Sequence, residues 1–355
     1  RRWSEWQGII AAVFVWFAPL VIFAPHQLLT ETPAAFIALA SLVLFSRHRL
    51  FLAGLVGAIA FLTKFPMALV IVALGASCLI DRRFRDWLLV AAGSLVPIVP
   101  YLVFNQFLYG NAFEPFIVGN QVIAQAGIWL YSEPFWFYLA ELLKQNIFIL
   151  LAIPGAFLAW KKDKALLLSA VLLAAYFSFL PHKEVRFVTL FLPFFLLLAV
   201  RGLDGIRSRR WLFIAFASIF LLQSSYGVGQ WWNAEGAPDP IIIDYYRSLE
   251  NVSGSVGVTN PSFAFYTDAR LDPLYYPSFD AESAPEFLRR TLTHNNVAVS
   301  ECDLPCAPGD GACEREKTRV LTRFHREYDV VRRIERSGCA YEILTGKGGN
   351  ETIKS

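Results

Sequence analysis

Leu180-Pro181-His182-Lys183-Glu184-Val185-Arg186-Phe187 sets four ionisable side chains between two apolar stretches, residues 165–180 and 188–200. Charges between segments of that length are costly in hydrocarbon, so they belong at a water boundary or on a polar cavity. Pro181 lacks an N–H and cannot continue the preceding helix, so the cluster opens a new element at a membrane face. On this reading the chain is an α-helical integral membrane protein, and its other segments are arranged around the cluster.

The composition agrees. Of 355 residues 55% are hydrophobic and 17% charged, with a mean hydropathy of +0.45, too apolar for an ordinary soluble chain. Long apolar runs fill residues 1–231, and an ordinary soluble pattern follows. Two domains are expected: a transmembrane bundle over 1–231 and a soluble domain over 232–355. The charge divides in the same way. Residues 1–234 hold 18 Lys and Arg against 10 Asp and Glu, and residues 235–355 hold 14 against 19. A basic membrane half is what cytoplasmic loops produce. It gives no support to nucleic-acid binding.

Nine apolar runs can be traced: 8–24, 33–45, 50–62, 67–80, 87–104, 134–160, 165–180, 188–200 and 211–226. The third and fourth fall short of the roughly 20 residues that span comfortably, so they read as a hairpin of thin helices or a partly re-entrant pair. Gly54 and Gly57 permit close helix packing there. Residues 106–133 mix aromatic and amide side chains and read as an interfacial loop with helices lying on the membrane. With the tail outside, alternation places Arg1/Arg2, Arg47/Arg49, Arg82/Arg83/Arg85, Lys161/Lys162/Lys164 and Arg201/Arg207/Arg209/Arg210 on one, cytoplasmic, side. Lys64, Lys144, Lys183 and Arg186 are the exceptions, at or near the outer face with Glu31, Glu114, Glu133 and Glu184. Cations that run against the charge bias are candidates for binding an anion. The active face and the tail are therefore expected to be extracytoplasmic: periplasm, cell exterior or endoplasmic reticulum lumen.

In the tail, 254–259, 296–299 and 339–344 read as strands, and 285–292 and 318–331 as helices, giving a small α/β domain. Cys302, Cys306, Cys313 and Cys339 suggest two disulfides in an oxidising compartment, with three connectivities open. The rival, a zinc site, would want Cys-x-x-Cys spacing and a His-x-x-x-His pair, and the sequence has neither. Asp268, Asp272 and Asp280 do not have calcium-loop spacing, and the sequence names no firm cofactor; a divalent metal is open but has no motif behind it. Cys78 reads as inert core. Walker, Gly-x-Ser-x-Gly and His-Glu-x-x-His motifs are missing, which argues against a nucleotide-driven pump or a zinc protease.

Within the cluster, Arg186 offers a bidentate fork and Lys183 a point charge for a phosphate, Glu184 can orient the Lys, and Phe187 can pack on a lipid chain. The bland counterpart is a salt-bridge knot at a helix boundary. Lys64 is a further phosphate ligand or a snorkelling lysine. His26 reads as an interface histidine, and Lys144 with Glu141 as an i, i+3 ion pair.

The stretch 180–187 resembles the His-Lys-Glu-x-Arg-Phe signature of glycosyltransferase family 22. These are GT-C fold mannosyltransferases whose signature also sits where an extracytoplasmic loop enters a late transmembrane helix. Thr30-Glu31-Thr32 and Leu62-Thr63-Lys64 faintly resemble further parts of such enzymes. The resemblance implies a GT-C-like bundle, here of about nine segments, with a small C-terminal α/β extracytoplasmic domain. It implies a polyprenyl-phosphate-linked sugar as donor, mannose above all, and a glycan or lipid-linked acceptor. His182, Lys183, Glu184, Arg186 and Lys64 would hold the donor phosphate. The first run starts on the cytoplasmic side and matches the third helix of such an enzyme. Two helices and the acidic catalytic loop are thus expected upstream of Arg1, and the general base with them; Glu31 or Glu114 is the fallback. The alternative is a transporter or flippase of an anionic lipid or solute, which would want ionisable residues deep in several runs or inverted repeats. A scaffold that only holds the tail outside leaves the four outer cations without a role.

Overall fold

The computed structural model describes residues 30–125, 131–145, 147–203, 218–229, 240–249, 254–274, 279, 282–336 and 338–347, together with 12, 13, 15, 18 and 21. The chain divides into two compact units, Arg1–Ala124 with Tyr131–Asn233, and Gln125–Leu130 with Ala234–Ser355. Apart from residues 12, 13, 15, 18 and 21, the apolar run 8–24 lies outside the described residues, as do His26 and Asp280.

The first unit is helical. Helix α1 (Glu31–Ser46) turns back into α2 (Leu50–Thr63); a 3-10 turn, Phe65–Met67, leads to α3 (Ala68–Ile80). His48 and Arg82 take left-handed backbone angles at the tight turns after α1 and α3, a region where non-glycine residues are uncommon. Helix α4 (Phe84–Tyr109) keeps its course despite Pro97 and Pro100. Helix α5 (Glu114–Gln125) follows, a helix within the stretch 106–133 as expected, while the start of that stretch completes α4. Helix α6 (Phe137–Gln145), a 3-10 segment Ile147–Leu151 and α7 (Ala152–Lys162) take up the run 134–160, with a bend of 112° between Phe137–Gln145 and Ile147–Lys162. Helices α8 (Lys164–Phe179) and α9 (Val188–Leu203) flank the charged cluster.

Among the described residues, two helical stretches are long and apolar enough to cross a membrane, Phe84–Tyr109 and Val185–Leu203, or three if the bent pair is one span. The other apolar helices are shorter, as runs three and four suggested. The two long ones differ in surroundings. Helix α9 is apolar on every side and buried along almost its whole length, the pattern of a helix inside a bundle. Helix α4 instead exposes Leu95, Val96, Val99, Val103 and Phe107.

Small residues set two helix crossings. A Cβ on Gly54 of α2 would stand 2.0 Å from the Val90 carbonyl oxygen of α4, and one on Gly93 of α4 would stand 2.0 Å from that of Phe51. Gly155 of α7 and Gly202 of α9 approach in the same way, 1.8 Å from Leu198 O and 2.1 Å from Leu151 O. Only side chains without a Cβ let the backbones come this close.

Arg201 departs from the expected basic loop. It sits in the last turn of α9, buried, and its Nε donates to Asp163 Oδ2 at 3.0 Å. Asp163 precedes α8, and the next residue, Lys164, pairs with Asp81 beyond α3. A helix C-terminus favours the cation, and the Asp163 carboxylate makes its burial tolerable.

The second unit is a mixed sheet between helices. Its strands are β1 (Ser255–Val258), β2 (Arg270–Pro273), β3 (Asn296–Ser300), β4 (Tyr328–Arg336) and β5 (Cys339–Gly346), in the order β2-β1-β3-β5-β4. Strand β1 pairs parallel with β2 and β3, while β5 pairs antiparallel with β3 and β4. Alternation along β3 sends Val297 and Val299 to one face and Ala298 to the other. The first face packs on α11 (Ala284–Thr291) and α12 (Gly311–Glu327) through Phe287, Val320 and Phe324. The second packs on α10 (Pro240–Arg247) through Tyr245. The helix expected over 318–331 starts earlier and stops earlier. Asp310 caps it by accepting from the Ala312 and Cys313 N–H groups, and Tyr328 to Val331 join β4, where β-branched residues fit the pleat.

The cysteines pair as Cys302–Cys339 and Cys306–Cys313. The first closes a 37-residue separation. We expect Cys302→Ser with Cys339→Ser to lower unfolding stability by about 4 kcal/mol, the chain-entropy value for a loop of that length. Chemical denaturation of the oxidised double variant beside wild type checks this; coincident curves would show that the bond adds nothing.

Asp303 follows β3 and accepts from the Thr259 hydroxyl at 2.7 Å. Burial pushes its pKa above the usual carboxylate range, and the Thr259 and Asn260 hydrogen bonds only partly oppose this. A carboxyl raised on folding holds its proton longer in the native state, so stability falls as pH rises from about 3.9, the unfolded value, through the raised native value. Asp303→Asn keeps an acceptor for Thr259 and removes the charge. It should melt higher than wild type at pH 7, with the gap closing below pH of about 4; an equal gap at both pH values would contradict burial as the cause.

Candidate functional site

Helix α8 stops at Phe179 because Pro181 forces the residue before it out of the helical region; Leu180 is extended, at φ −66° and ψ 138°. The chain then runs as a short strand. His182 bridges Ser132 antiparallel, and the Lys183 N–H donates to the Tyr131 carbonyl at 3.0 Å. Glu184 is also extended, at φ −126° and ψ 142°. A 3-10 turn, Val185–Phe187, then opens α9, and the Thr189 hydroxyl donates to the Arg186 carbonyl at 2.6 Å.

Extended backbone alternates its side chains, so His182 and Glu184 share one side and Lys183 takes the other. The consequence is direct. His182 Nε2 lies 2.5 Å from Glu184 Oε1. Arg186 grips the same carboxylate with two nitrogens, Nη2 to Oε1 and Nε to Oε2, each at 2.7 Å. This fork is the geometry that Arg supplies and Lys cannot. Lys183 is turned away and buried, its ammonium donating to the Leu180 carbonyl at 2.8 Å. Glu184 therefore orients Arg186 and His182 and not Lys183, as the motif alone had suggested.

The floor is aromatic. The Glu184 N–H donates to the buried Tyr138 hydroxyl at 3.1 Å, and the His182 ring lies on Tyr131 at 4.0 Å. Phe187 stacks on Phe177 at 5.1 Å. Two cations face Phe187: the Arg186 guanidinium at 5.5 Å and the Lys64 ammonium at 5.9 Å from the ring centroid. Lys64 comes from the extended residue that ends α2. It is drawn to Glu31, in the first turn of α1, where a carboxylate is favoured by the helix dipole; the two are 2.7 Å apart. The ends of four helices, α1, α2, α8 and α9, thus meet at Phe187.

Burial grades across the group. The Arg186 side chain is 42% exposed and that of Lys64 27%, whereas Glu31 is 1% exposed. The cationic heads are accessible and the carboxylates lie behind them. Chemically the group offers an arginine fork preset by Glu184 and a second partly exposed cation from a distant helix, each held against a carboxylate.

The other candidates lie elsewhere. Glu114 accepts from Asn111 within its own turn, and Glu133 is exposed. Lys144 pairs with Glu141 at 2.5 Å on α6, an exposed ammonium on a buried carboxylate. Asp272 lies 3.7 Å from His294 in the second unit. Cys78 is free and buried. An open apolar groove of about 550 Å³ runs between Leu143, Ile147, Leu150 and Leu222. Its Gln223 is already bonded to the Ile147 N–H and to the Leu143 and Lys144 carbonyls, so the groove offers a surface and no reactive group. Among the described residues no group of three or more His, Cys, Asp or Glu is placed to hold a metal ion.

Sequence reasoning passed over Tyr131 and Tyr138, and the joining of Glu31 to Lys64. The tyrosines stand in aromatic-rich stretches where nothing distinguishes one ring from its neighbours. The ion pair spans two helices, and only the sidedness of the helix ends hinted at it. Comparison with protein-family models, with curated proteins and with solved structures returns no match to this chain.

Proposed function

We propose that this chain is a membrane glycosyltransferase of GT-C type that moves a sugar, mannose in the resemblance, from a polyprenyl-phosphate donor to a glycan or lipid-linked acceptor at the extracytoplasmic face. One observation carries the reading: Glu184 holds Arg186 by both oxygens and His182 by one, and Lys64 from another helix meets Arg186 at Phe187. A leaving phosphate needs preorganised positive charge, and Arg186 with Lys64 supplies it. Lys183, tied to a carbonyl, contributes to the shape of the strand and leaves direct contact to the other two. Because the lipid carries the sugar as a phosphodiester, no nucleotide is needed at this face.

Two further features support the placement. The disulfides of the second unit suit an oxidising compartment. The apolar face that α4 exposes suits contact with lipid chains. The reading is tested by incubating membranes that contain the full-length protein with polyprenyl-phosphate-[14C]mannose. Release of the sugar to endogenous acceptor lipid or glycan supports it. Vectorial movement of an anionic lipid without sugar transfer overturns it in favour of a flippase.

A further inference from the structure

Helix α6 is only nine residues long, and a hydrogen bond to a distant part of the chain ties it at each end. At the far end the helix breaks. Leu143 and Lys144 lie in its last turn, where carbonyls have no partner within the helix, and Ile147 opens the next segment, where N–H groups have none. In a membrane bundle such groups are costly unless the protein itself meets them. Gln223, from the helical stretch 218–229, meets three. Its Oε1 accepts from the Ile147 N–H at 2.9 Å, and its Nε2 donates to the Lys144 carbonyl at 3.1 Å and the Leu143 carbonyl at 3.3 Å. A primary amide both donates and accepts, so it stands in for a peptide group at the break. The Ile147 N–H can only donate, which fixes which way the amide points.

The near end lies under the fork. Tyr138 is 1% exposed, its ring set against Phe177 of α8 at 6.0 Å and Phe191 of α9 at 5.6 Å. Its hydroxyl accepts from the Glu184 N–H at 3.1 Å. That N–H belongs to the residue whose carboxylate holds Arg186 by both oxygens and His182 by one. From Tyr138 to Leu143 the helix rises only about 7.5 Å, so the two ends move together.

Resting on the donor reading above, we propose that Gln223 and Tyr138 are positioning residues: Gln223 fixes the far end of α6, and through Tyr138 that helix holds Glu184, and with it the Arg186 fork, in place for the leaving phosphate. Without the Gln223 amide the last turn of α6 loosens and the Tyr138 hydroxyl withdraws from Glu184. The cations remain, so donor binding is kept. The fork loses its aim, so the chemical step slows.

The test uses full-length protein in detergent. Tyr138→Phe removes only the hydroxyl. Gln223→Met keeps the volume and removes the amide; Gln223→Glu, which keeps the acceptor for Ile147 and loses both donors, replaces it if it does not fold. Leu222→Ala trims the groove wall, leaves every bond at the break, and so reports packing alone. The readouts are initial rates with polyprenyl-phosphate-[14C]mannose, normalised to folded protein, and amide hydrogen exchange at Glu184 without donor. Tyr138→Phe and Gln223→Met should each lower kcat about tenfold with the donor KM within about twofold, and speed exchange at Glu184 about tenfold, the ratio for one lost hydrogen bond. The double variant should fall no further than the lower single, because both residues act through one helix. Leu222→Ala should stay within about twofold of wild type in both readouts. Unchanged exchange at Glu184 in Gln223→Met overturns the proposal, as do a loss in KM alone, losses that multiply in the double variant, or equal effects from Leu222→Ala. The donor reading fails separately, if wild type transfers no sugar. Exchange then decides alone: a faster Glu184 amide in Gln223→Met upholds the link through α6, and an unchanged one overturns it.

Discussion

Arg186→Ala is expected to reduce sugar transfer by about 10²- to 10³-fold, the usual loss when a preorganised group that stabilises developing charge is removed. The reason lies in the fork. Arg186 meets Glu184 through two parallel hydrogen bonds, so its guanidinium is held before a phosphate arrives, and Nη1 takes no part in the fork. Its side chain is 42% exposed, so truncation removes little packing and the protein should fold. Arg186→Lys keeps the charge and loses the fork; it should recover only a small part of the activity. Initial rates with radiolabelled donor lipid, normalised to folded protein, measure the effect. Transfer by Arg186→Ala within about threefold of wild type would place phosphate stabilisation elsewhere and remove the main support for the proposed function.

The largest expected effect on stability is at the opposite ends of the same helices. Arg201→Met or Asp163→Ala alone should cost about 3–5 kcal/mol, because each leaves the partner buried without its counter-charge. Both side chains are almost fully enclosed, and Arg201 reaches Asp163 through Nε and Nη2. The double variant Arg201→Met with Asp163→Leu should recover most of the loss, since an apolar pair of similar volume avoids the desolvation cost of both charges. Thermal unfolding in detergent should show the single variants shifted down by on the order of 10 °C. Additive losses in the double variant would mean that the two residues act independently, contrary to the geometry.

The helix ends of the first unit were legible because their signals are local. Pro181 ends α8 by its missing N–H, and the apolar runs 33–45, 50–62 and 165–180 map onto α1, α2 and α8 with small shifts at the ends. Strand β4 was not legible. Tyr328 to Arg336 continue the charged pattern of α12, and what makes them a strand is pairing with β5 across the register Tyr328↔Gly346 to Arg336↔Cys339. Propensity is a weak prior beside such pairing.

For the site, the sequence by itself determined which charges sit between α8 and α9 and that Lys64 and Glu31 belong to helix ends. Those are consequences of residue type and hydrophobic period, which act over a few neighbours. Tertiary structure alone decided how they are used. It turned Lys183 onto a backbone carbonyl and gave Glu184 to Arg186 and His182, because extended backbone separates odd from even positions. It brought Lys64 and Glu31, from α2 and α1, to Phe187 at the start of α9, since close packing of helices joins residues far apart in sequence. It also took Arg201 from the expected basic loop into a buried pair with Asp163. A charge in a sequence carries its sign; its partner, and so its role, is set by which side chains packing places within a few ångströms.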